Sequence, residues 1–379
     1  MKTDMKNNFI VEQKPLLAIL SSMQPICTKR TAIDATSSIF FQISHKELII
    51  KSTDLEISLQ ASYLLKDSDL VGQQSFLVSG RRIFELVKEL DGTIECSVEQ
   101  DSLRLVSGSV NLVLNIKNPQ DFPPFPERIE NLMQFDAKIL LELFNKVAFL
   151  IPQNSANPAL NGLLLEFTRD EMSMTATDGH CLVQARSSTY KLDEEKKWLL
   201  PRRAIFELKK ILESCHDKTI FLGLCSNQLV FSGDSFNFFT KLLADPFPQY
   251  QTILDKKDFV PACVDRMTLM RTLRRSACLL SGQFIATTFD FVSAQQLRVS
   301  ILNKDVGNLE DEVPISNFDG DRLEIRFYAP YLLSGLQVFP QETATFYLKN
   351  SSKPIIFESI EQHYQLLYLV MPVAASNGR

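Results

Sequence analysis

The sequence predicts an α+β protein made of three tandem copies of one domain, each with helices on one face of antiparallel sheet. Three observations carry this. Short landmarks recur in the same order about 125 residues apart. Apolar periodicity alternates between the helical and the extended pattern along the chain. A length of 379 residues, 45% hydrophobic and 22% charged, is enough for several small cores.

The elements follow in order. Lys14 to Met23, Ala137 to Leu150 and Asp265 to Leu280 carry apolar residues at i, i+3 and i+4 and read as the first helix of each copy. Strand alternation runs from Phe40-Phe41-Gln42-Ile43 to Thr53-Asp54, and again from Leu164-Leu165-Glu166-Phe167 to Thr177-Asp178. A fainter third occurrence, Phe289 through Ile301, is matched by aligning Phe289 with Phe40. The second helix starts at Arg81, Arg202 and Tyr331: Ile83-Phe84-Glu85-Leu86 returns as Ile205-Phe206-Glu207-Leu208, and Pro201 and Pro330 stand where a helix start tolerates proline. Short strands such as Leu103–Val106 and Leu229–Ser232 close the copies, with Ser359 to Val373 in their place in the third. Ser107-Gly108 and Asp121-Phe122-Pro123 return as Ser232-Gly233 and Asp245-Pro246-Phe247-Pro248. Each copy reads strand, helix, three strands, helix, three strands. Linkers are expected at Asp121–Asn131, with Pro123, Pro124 and Pro126, and at Leu254–Val260, giving domains 1–130, 131–254 and 255–379.

Composition excludes several classes. Forty Lys+Arg against 45 Asp+Glu give a net charge of −5, unlike a histone-like cationic protein or a disordered acidic tail. The polar start MKTDMKNN does not read as a signal peptide. Apolar runs such as Val147–Ile151 fall far short of the ~20 residues of a membrane helix. The seven cysteines are scattered and never spaced CxxC, which fits reduced thiols and a cytoplasmic protein.

Catalytic chemistry is poorly signalled. His45, His180, His216 and His363 form no metal-binding spacing, and no phosphate-cradling glycine motif or GxSxG occurs, so neither metal nor cofactor is expected. Asp178-Gly179-His180-Cys181 gathers three catalytic residue types. Neighbours on a strand point to opposite faces, so His180 and Cys181 make no base–nucleophile pair. A cysteine hydrolase would need Cys181 with a distant histidine such as His216 or His363.

Basic residues on the helices are more telling. Arg266, Met270 and Arg274 are expected on one face, flanked by Arg271 and Arg275. Arg202, Arg203, Lys209 and Lys210 lie on the second helix of copy two, and Arg81, Arg82 and Lys88 on that of copy one. Related helices thus carry cations on an acidic chain, without a base-reading or stacking motif, which suits contact with backbone phosphate.

Several motifs carry a family resemblance. Leu160-Asn161-Gly162-Leu163-Leu164-Leu165-Glu166 and Ala176-Thr177-Asp178-Gly179-His180, the closing motifs Asp121-Phe122-Pro123 and Phe247-Pro248-Gln249-Tyr250, and Tyr368-Leu369-Val370-Met371-Pro372 are similar to those of bacterial β sliding clamps, the processivity subunits of DNA polymerase III, over roughly residues 9–375. The resemblance implies a non-catalytic protein of three clamp domains, with helices inside and sheets outside, closed into a ring by head-to-tail homodimerisation. The ring would encircle double-stranded DNA without sequence specificity. Its partners would be the clamp loader, the polymerase III α subunit and other proteins with a clamp-binding motif.

Carried over by motif, a partner-peptide pocket would comprise Leu160, Thr177, Gly179, His180, Leu182, Pro248, Ile253, Tyr331, Pro354, Leu369, Val370, Met371, Pro372 and Val373. DNA-facing residues would be Lys29, Arg30, Arg81, Gln153, Asn154, Arg202, Arg266, Arg271 and Arg274. The subunit interface would set Leu112, Leu114 and Arg82 of one protomer against Cys278 and Leu279 of the other. The chain departs from the family at Cys181 and Thr252, where arginine is usual, in the tail after Pro372, and at Asn157-Pro158-Ala159, which lacks the Arg and Tyr of some members. The alternative to a clamp is a scaffold of the same fold that no longer encircles DNA.

Overall fold

A computed structural model describes residues 8–65, 72–125, 129–282 and 284–373. The first seven residues, part of the first proposed linker and the tail beyond Val373 lie outside the described residues.

Each copy holds eight strands and two helices. Copy one runs β1 (Asn8–Glu12), α1 (Gln13–Cys27), β2 (Ser38–Ile43), β3 (Glu47–Thr53), β4 (Ile57–Leu64), β5 (Gln74–Ser79), α2 (Gly80–Lys88), β6 (Thr93–Val98), β7 (Ser102–Ser107) and β8 (Val110–Lys117). Copy two runs β9 (Glu130–Asp136), α3 (Ala137–Val147), β10 (Gly162–Phe167), β11 (Met172–Thr177), β12 (Cys181–Ser187), β13 (Lys196–Pro201), α4 (Arg202–Ser214), β14 (Thr219–Cys225), β15 (Gln228–Ser232) and β16 (Phe236–Lys241). Copy three runs β17 (Val260–Asp265), α5 (Arg266–Cys278), β18 (Thr287–Ser293), β19 (Gln296–Asn303), β20 (Gly307–Ser316), β21 (Leu323–Phe327), α6 (Ala329–Leu336), β22 (Thr343–Leu348), β23 (Ile355–Ile360) and β24 (Gln365–Val370).

Four strands, not three, therefore separate the two helices. The strand missed from sequence, β5, β13 or β21, runs straight into a helix with no turn signal. In β5 and β13 three consecutive residues are buried, so the alternation that marks a strand is absent. The third copy is also in a different register from the sequence match. Phe41, Leu165 and Phe289 each stand opposite the residue four before the second helix, namely Phe76, Trp198 and Ile325. Phe289 corresponds to Phe41; the Phe40-Phe41 doublet disguised the one-residue shift that exchanges the faces.

The helices form where their apolar stripes meet the sheet. On α1, Leu16, Leu20, Met23 and Ile26 are buried, each contributing on the order of 1.5–3 kcal/mol. Asp265 caps α5 by accepting from Thr268 N at 2.7 Å, and Asp136 caps α3 through Lys138 N and Ile139 N at 2.9 and 3.1 Å. Helix α3 ends at Val147, and a single tighter turn, Ala148–Leu150, follows it.

By compactness the chain divides into two units. The first extends through Leu141 and includes Arg203–Leu242; the second holds Glu142–Arg202 and everything from Leu243. Each contains one twelve-stranded antiparallel sheet. In the first unit the order is β1-β6-β7-β8-β5-β2-β3-β4-β16-β15-β14-β9, and in the second β13-β10-β11-β12-β24-β23-β22-β17-β20-β19-β18-β21. The strands of copy two are thus shared out. β16 joins β4 of copy one, with Asn237 opposite Gln60, and β12 joins β24 of copy three, with Gln184 opposite Leu367.

Candidate functional site

The pocket residues inferred from sequence all belong to the second unit, around the turn between β11 and β12. Asp178 accepts from the backbone N–H groups of His180 and Cys181 at 2.8 and 2.7 Å. Thr177 Oγ1 donates to Cys181 O at 2.5 Å and accepts from Gly179 N at 3.1 Å. Gly179 has φ +92°, a region open to glycine and strained for other residues. The turn presents His180 at the surface, where its ring stacks on Tyr331 with centroids 5.5 Å apart. After β24 the chain is strapped alongside: Met371 N donates to His180 O at 2.9 Å and Val373 N to Arg326 O at 2.8 Å.

Accessibility sorts these residues. Gly179, His180, Pro248, Ile253 and Met371 are exposed; Tyr331, Pro372 and Val373 are half-buried. Leu160, Thr177 and Pro354 are buried behind them. Leu182 and Leu369 belong to the core cluster with Leu164, Tyr250, Ile356 and Leu367, and Val370 is 0% exposed. Their place on the central strands β12 and β24 makes these three the support of the groove and not its reachable lining. Ile253, Pro354 and Met371 open onto a cavity of about 350 Å³, with Phe259 also in its wall.

A buried hydrogen-bond hub holds the wall segment that contains Pro248 and Ile253. Tyr250 Oη donates to Glu166 at 2.5 Å and accepts from Gln184 Nε2 at 3.0 Å and Thr175 Oγ1 at 3.2 Å. Burial, then the Glu166 carboxylate, pushes the Tyr250 phenol up, so it stays a donor. Tyr368 Oη donates to Tyr331 O at 2.7 Å, fixing the start of α6. An aromatic row that sequence did not reveal extends from Tyr331: Tyr328 lies 5.0 Å from it and Phe284 4.5 Å from Tyr328. Tyr328 was legible as the i−3 neighbour of Tyr331; Phe284 had no local signal.

Cys181 is not a nucleophile in this setting. It is 1% exposed, and burial, reinforced by Asp178, raises its thiol far above the range where thiolate forms. Among the described residues no group of His, Cys, Asp or Glu is placed to hold a metal ion, and no helix is long and apolar enough to cross a membrane.

The basic residues divide into free and engaged. On α5, Arg266 is half-buried with its guanidinium donating to Met270 Sδ at 3.5 Å, but Met270 itself is buried while Arg274 is exposed, so the three do not form one solvent-facing row. The residues at i, i+4 and i+8 drift by about 40° per step, enough to carry the row from the rim over the core edge. Arg266 Nε donates to Gln341 O at 2.7 Å and its guanidinium to Leu336 O at 3.3 Å, at the end of α6. Arg275 pairs with Asp311 at 2.6 Å. Arg271 and Arg274 are exposed beside Met267 and Cys278. Arg202 is half-buried, donating to Ile151 O at 3.0 Å. Lys29 pairs with Glu56 and Arg81 with Glu85; Arg30, Gln153 and Asn154 are exposed. Arg203 reaches the fully buried carboxylate of Asp54 and donates to Pro25 O at 3.0 Å.

Two strand edges complete the inventory. β8 pairs with β7 along its length and with β5 only at Ile116 and Lys117; β20 pairs with β19 along its length and with β17 only at Ile315 and Ser316. The Val110–Asn115 and Gly307–Pro314 edges pair with no other strand among the described residues. Leu112, Leu114 and Leu279 are half-buried, and Arg82 and Cys278 are exposed.

Three family models match the chain consecutively: the DNA polymerase III beta subunit N-terminal domain at residues 7–126, the central domain at 134–249 and the C-terminal domain at 252–374. The chain belongs to the DNA polymerase III beta subunit family. Among relatives, it is 25% identical over 370 residues to the beta sliding clamp of Pseudomonas putida, covering 97% of this chain and 99% of that one. To the beta sliding clamp of Halalkalibacterium halodurans it is 24% identical, with the same coverage. Its fold matches the crystal structure of the Pseudomonas aeruginosa DNA polymerase sliding clamp with ligand at a TM-score of 0.89, with 23% identity over 97% of this chain and all of that one. The Thermotoga maritima DNA polymerase III beta subunit matches at 0.86 and 22%, over 97% of this chain and all of that one. In this beta subunit Cys181 lies in the buried layer under the groove, and Thr252 lines the cavity.

Proposed function

We propose that this beta subunit is a sliding clamp: two copies close head to tail around duplex DNA and tether the replicative polymerase, which docks a short motif in the groove beside His180 and Met371. The observation that carries the reading is the repeated strand joint. Ala61, Ala185 and Asp311 are equivalent, each opposite Ile50, Met174 or Val299, which in turn face Phe41, Leu165 and Phe289. Asn111, Asn237 and Leu367 are equivalent in the last strand, reached through Val106, Ser232 and Glu358 from Glu95, Phe221 and Thr345. Two joints form within the chain, Gln60 with Asn237 and Gln184 with Leu367. The third needs β20 of one copy and β8 of another, with Glu310 opposite Asn111 and Leu309 opposite Leu112. Unpaired edges of this kind are open to another chain, and a head-to-tail contact that closes after two copies makes a ring.

Topological linkage makes tight DNA binding unnecessary; exposed Arg271 and Arg274 supply contacts without register, and tethering raises the polymerase's effective concentration at the primer end. Two measurements test the reading. Light scattering is expected to give a mass near twice 43.1 kDa, and Leu309→Asp to halve it. In a Cys278→Ser background, Glu310→Cys with Asn111→Cys gives an oxidised cross-linked dimer, whereas Asn308→Cys with Asn111→Cys, out of register, does not. A chain that stays monomeric over a dilution series would return the scaffold alternative.

A further inference from the structure

We propose that the cavity at the Ile253–Met371 end of the groove selects partner peptides that carry acidic side chains next to their apolar anchors; this rests on the peptide-groove reading above. The cavity has an apolar wall, Ile253, Phe259, Pro354 and Met371, but its rim is cationic: Lys257, Lys349 and Lys353 line it against one carboxylate, Asp255. That excess stands out on a chain of net charge −5.

The lysines differ in what they are free to do. Lys349 Nζ lies 3.1 Å from Asp258 and donates to Lys257 O at 3.2 Å. Lys257 and Lys353 are exposed and form no ion pair among the described residues. Neighbouring Lys256 is committed elsewhere, 2.6 Å from Glu358 and over the ring of Tyr347. Both lysine-bearing turns are fixed by their own sequence. Asn350 Oδ1 accepts from Ser352 N and Lys353 N at 3.0 and 3.1 Å, and Asp255 Oδ1 accepts from Lys257 N at 3.0 Å. The one lining carboxylate is therefore partly engaged by backbone, and the two lysines without an ion pair line the same cavity as the apolar wall proposed to receive an anchor. An acidic side chain beside that anchor meets them at no cost in burying either charge, because both lysines stay in water.

The test uses the full chain and three labelled eight-residue peptides with the same leucine and phenylalanine anchors. One carries Glu-Glu after the anchors, one Glu-Glu before them, and one Gln-Gln at both places. Anisotropy titration is expected to show one glutamate peptide binding about fivefold tighter than the glutamine peptide at low salt, the scale of two exposed ion pairs. The ratio falls toward one in about 0.5 M salt and in Lys257→Gln/Lys353→Gln, and inverts in Lys257→Glu/Lys353→Glu. Equal affinities for all three peptides, or a ratio that survives in the double glutamine variant, overturn the proposal and leave the groove standing. No binding of any peptide, or binding unchanged by Met371→Asp, overturns the groove reading and the proposal with it.

Discussion

Arg203 separates a structural cation from a phosphate-facing one. From sequence it belongs to a basic helix; in the structure its guanidinium leaves the solvent to meet Asp54, whose side chain is 0% exposed, while Arg203 itself is 30% exposed. Arg203→Ala leaves that carboxylate buried with only the N–H groups of Ile57 and Glu56, at 2.8 and 3.0 Å, and Lys29 at 3.7 Å. Removing one partner of a buried pair costs about 3–5 kcal/mol; with Lys29 remaining and water able to enter through the vacated space, we expect about 2–3 kcal/mol. Burial pushes the Asp54 carboxyl up, but the Ile57 N–H, the Arg203 hydrogen bond and charge, and the Glu56 N–H outweigh it and hold the group below its usual value. A depressed folded pKa means the contribution is complete above the unfolded value, near 4, and is lost as pH falls through the folded one. Urea unfolding followed by far-UV ellipticity should show wild type and Arg203→Ala separated by a constant gap between about pH 5 and 8, closing below about pH 4. The lone Trp198 lies in the other unit, so its fluorescence reports on that unit. A variant as stable as wild type, but with a shallower salt dependence of DNA binding, would falsify the reasoning and add Arg203 to the DNA-facing residues.

Further expectations concern the other surfaces. Arg271→Ala/Arg274→Ala lowers the slope of log affinity for DNA against log salt by about 1.8, at 0.9 per lost phosphate contact, and Arg266→Ala leaves the slope alone while destabilising the α5–α6 contact. An unchanged slope in the double variant removes α5 from the DNA-facing surface. Gly335→Ala puts a Cβ inside the van der Waals shell of the Tyr368 ring, displacing the side chain whose hydroxyl fixes Tyr331. Thermal unfolding should show a loss of about 1–3 kcal/mol together with weakened peptide binding; undisturbed peptide affinity would show that Tyr368 does not position the groove.

Sequence made the repeat legible because landmarks with one physical role, the Asx turn at Asp54 and Asp178 and the Ile-Phe-Glu-Leu helix start, must recur wherever the same turn and helix are built. It failed where local pattern carries no sign of partners. β13 is buried through Trp198-Leu199-Leu200 and shows no alternation. The face of α5 turns on whether Met270 or Met267 enters the core, and the spacing of arginines does not decide that. In the groove, motif matching delivered the residues of the turn and the tail, yet the motifs alone do not separate Leu182 and Val370, which are buried, from His180 and Met371, which are exposed. Phe284 joins Tyr328 across some forty residues, and no short motif encodes such a meeting.

Encirclement itself is tested most directly by topology. The chain, loaded by a clamp-loader complex onto nicked circular DNA, is separated from free protein by gel filtration, and the DNA is then linearised with a restriction enzyme. A closed ring co-elutes with the circle at a salt concentration that abolishes ordinary binding, and is lost on linearisation as it slides off the ends. Salt-labile binding that is the same on circular and linear DNA would contradict it.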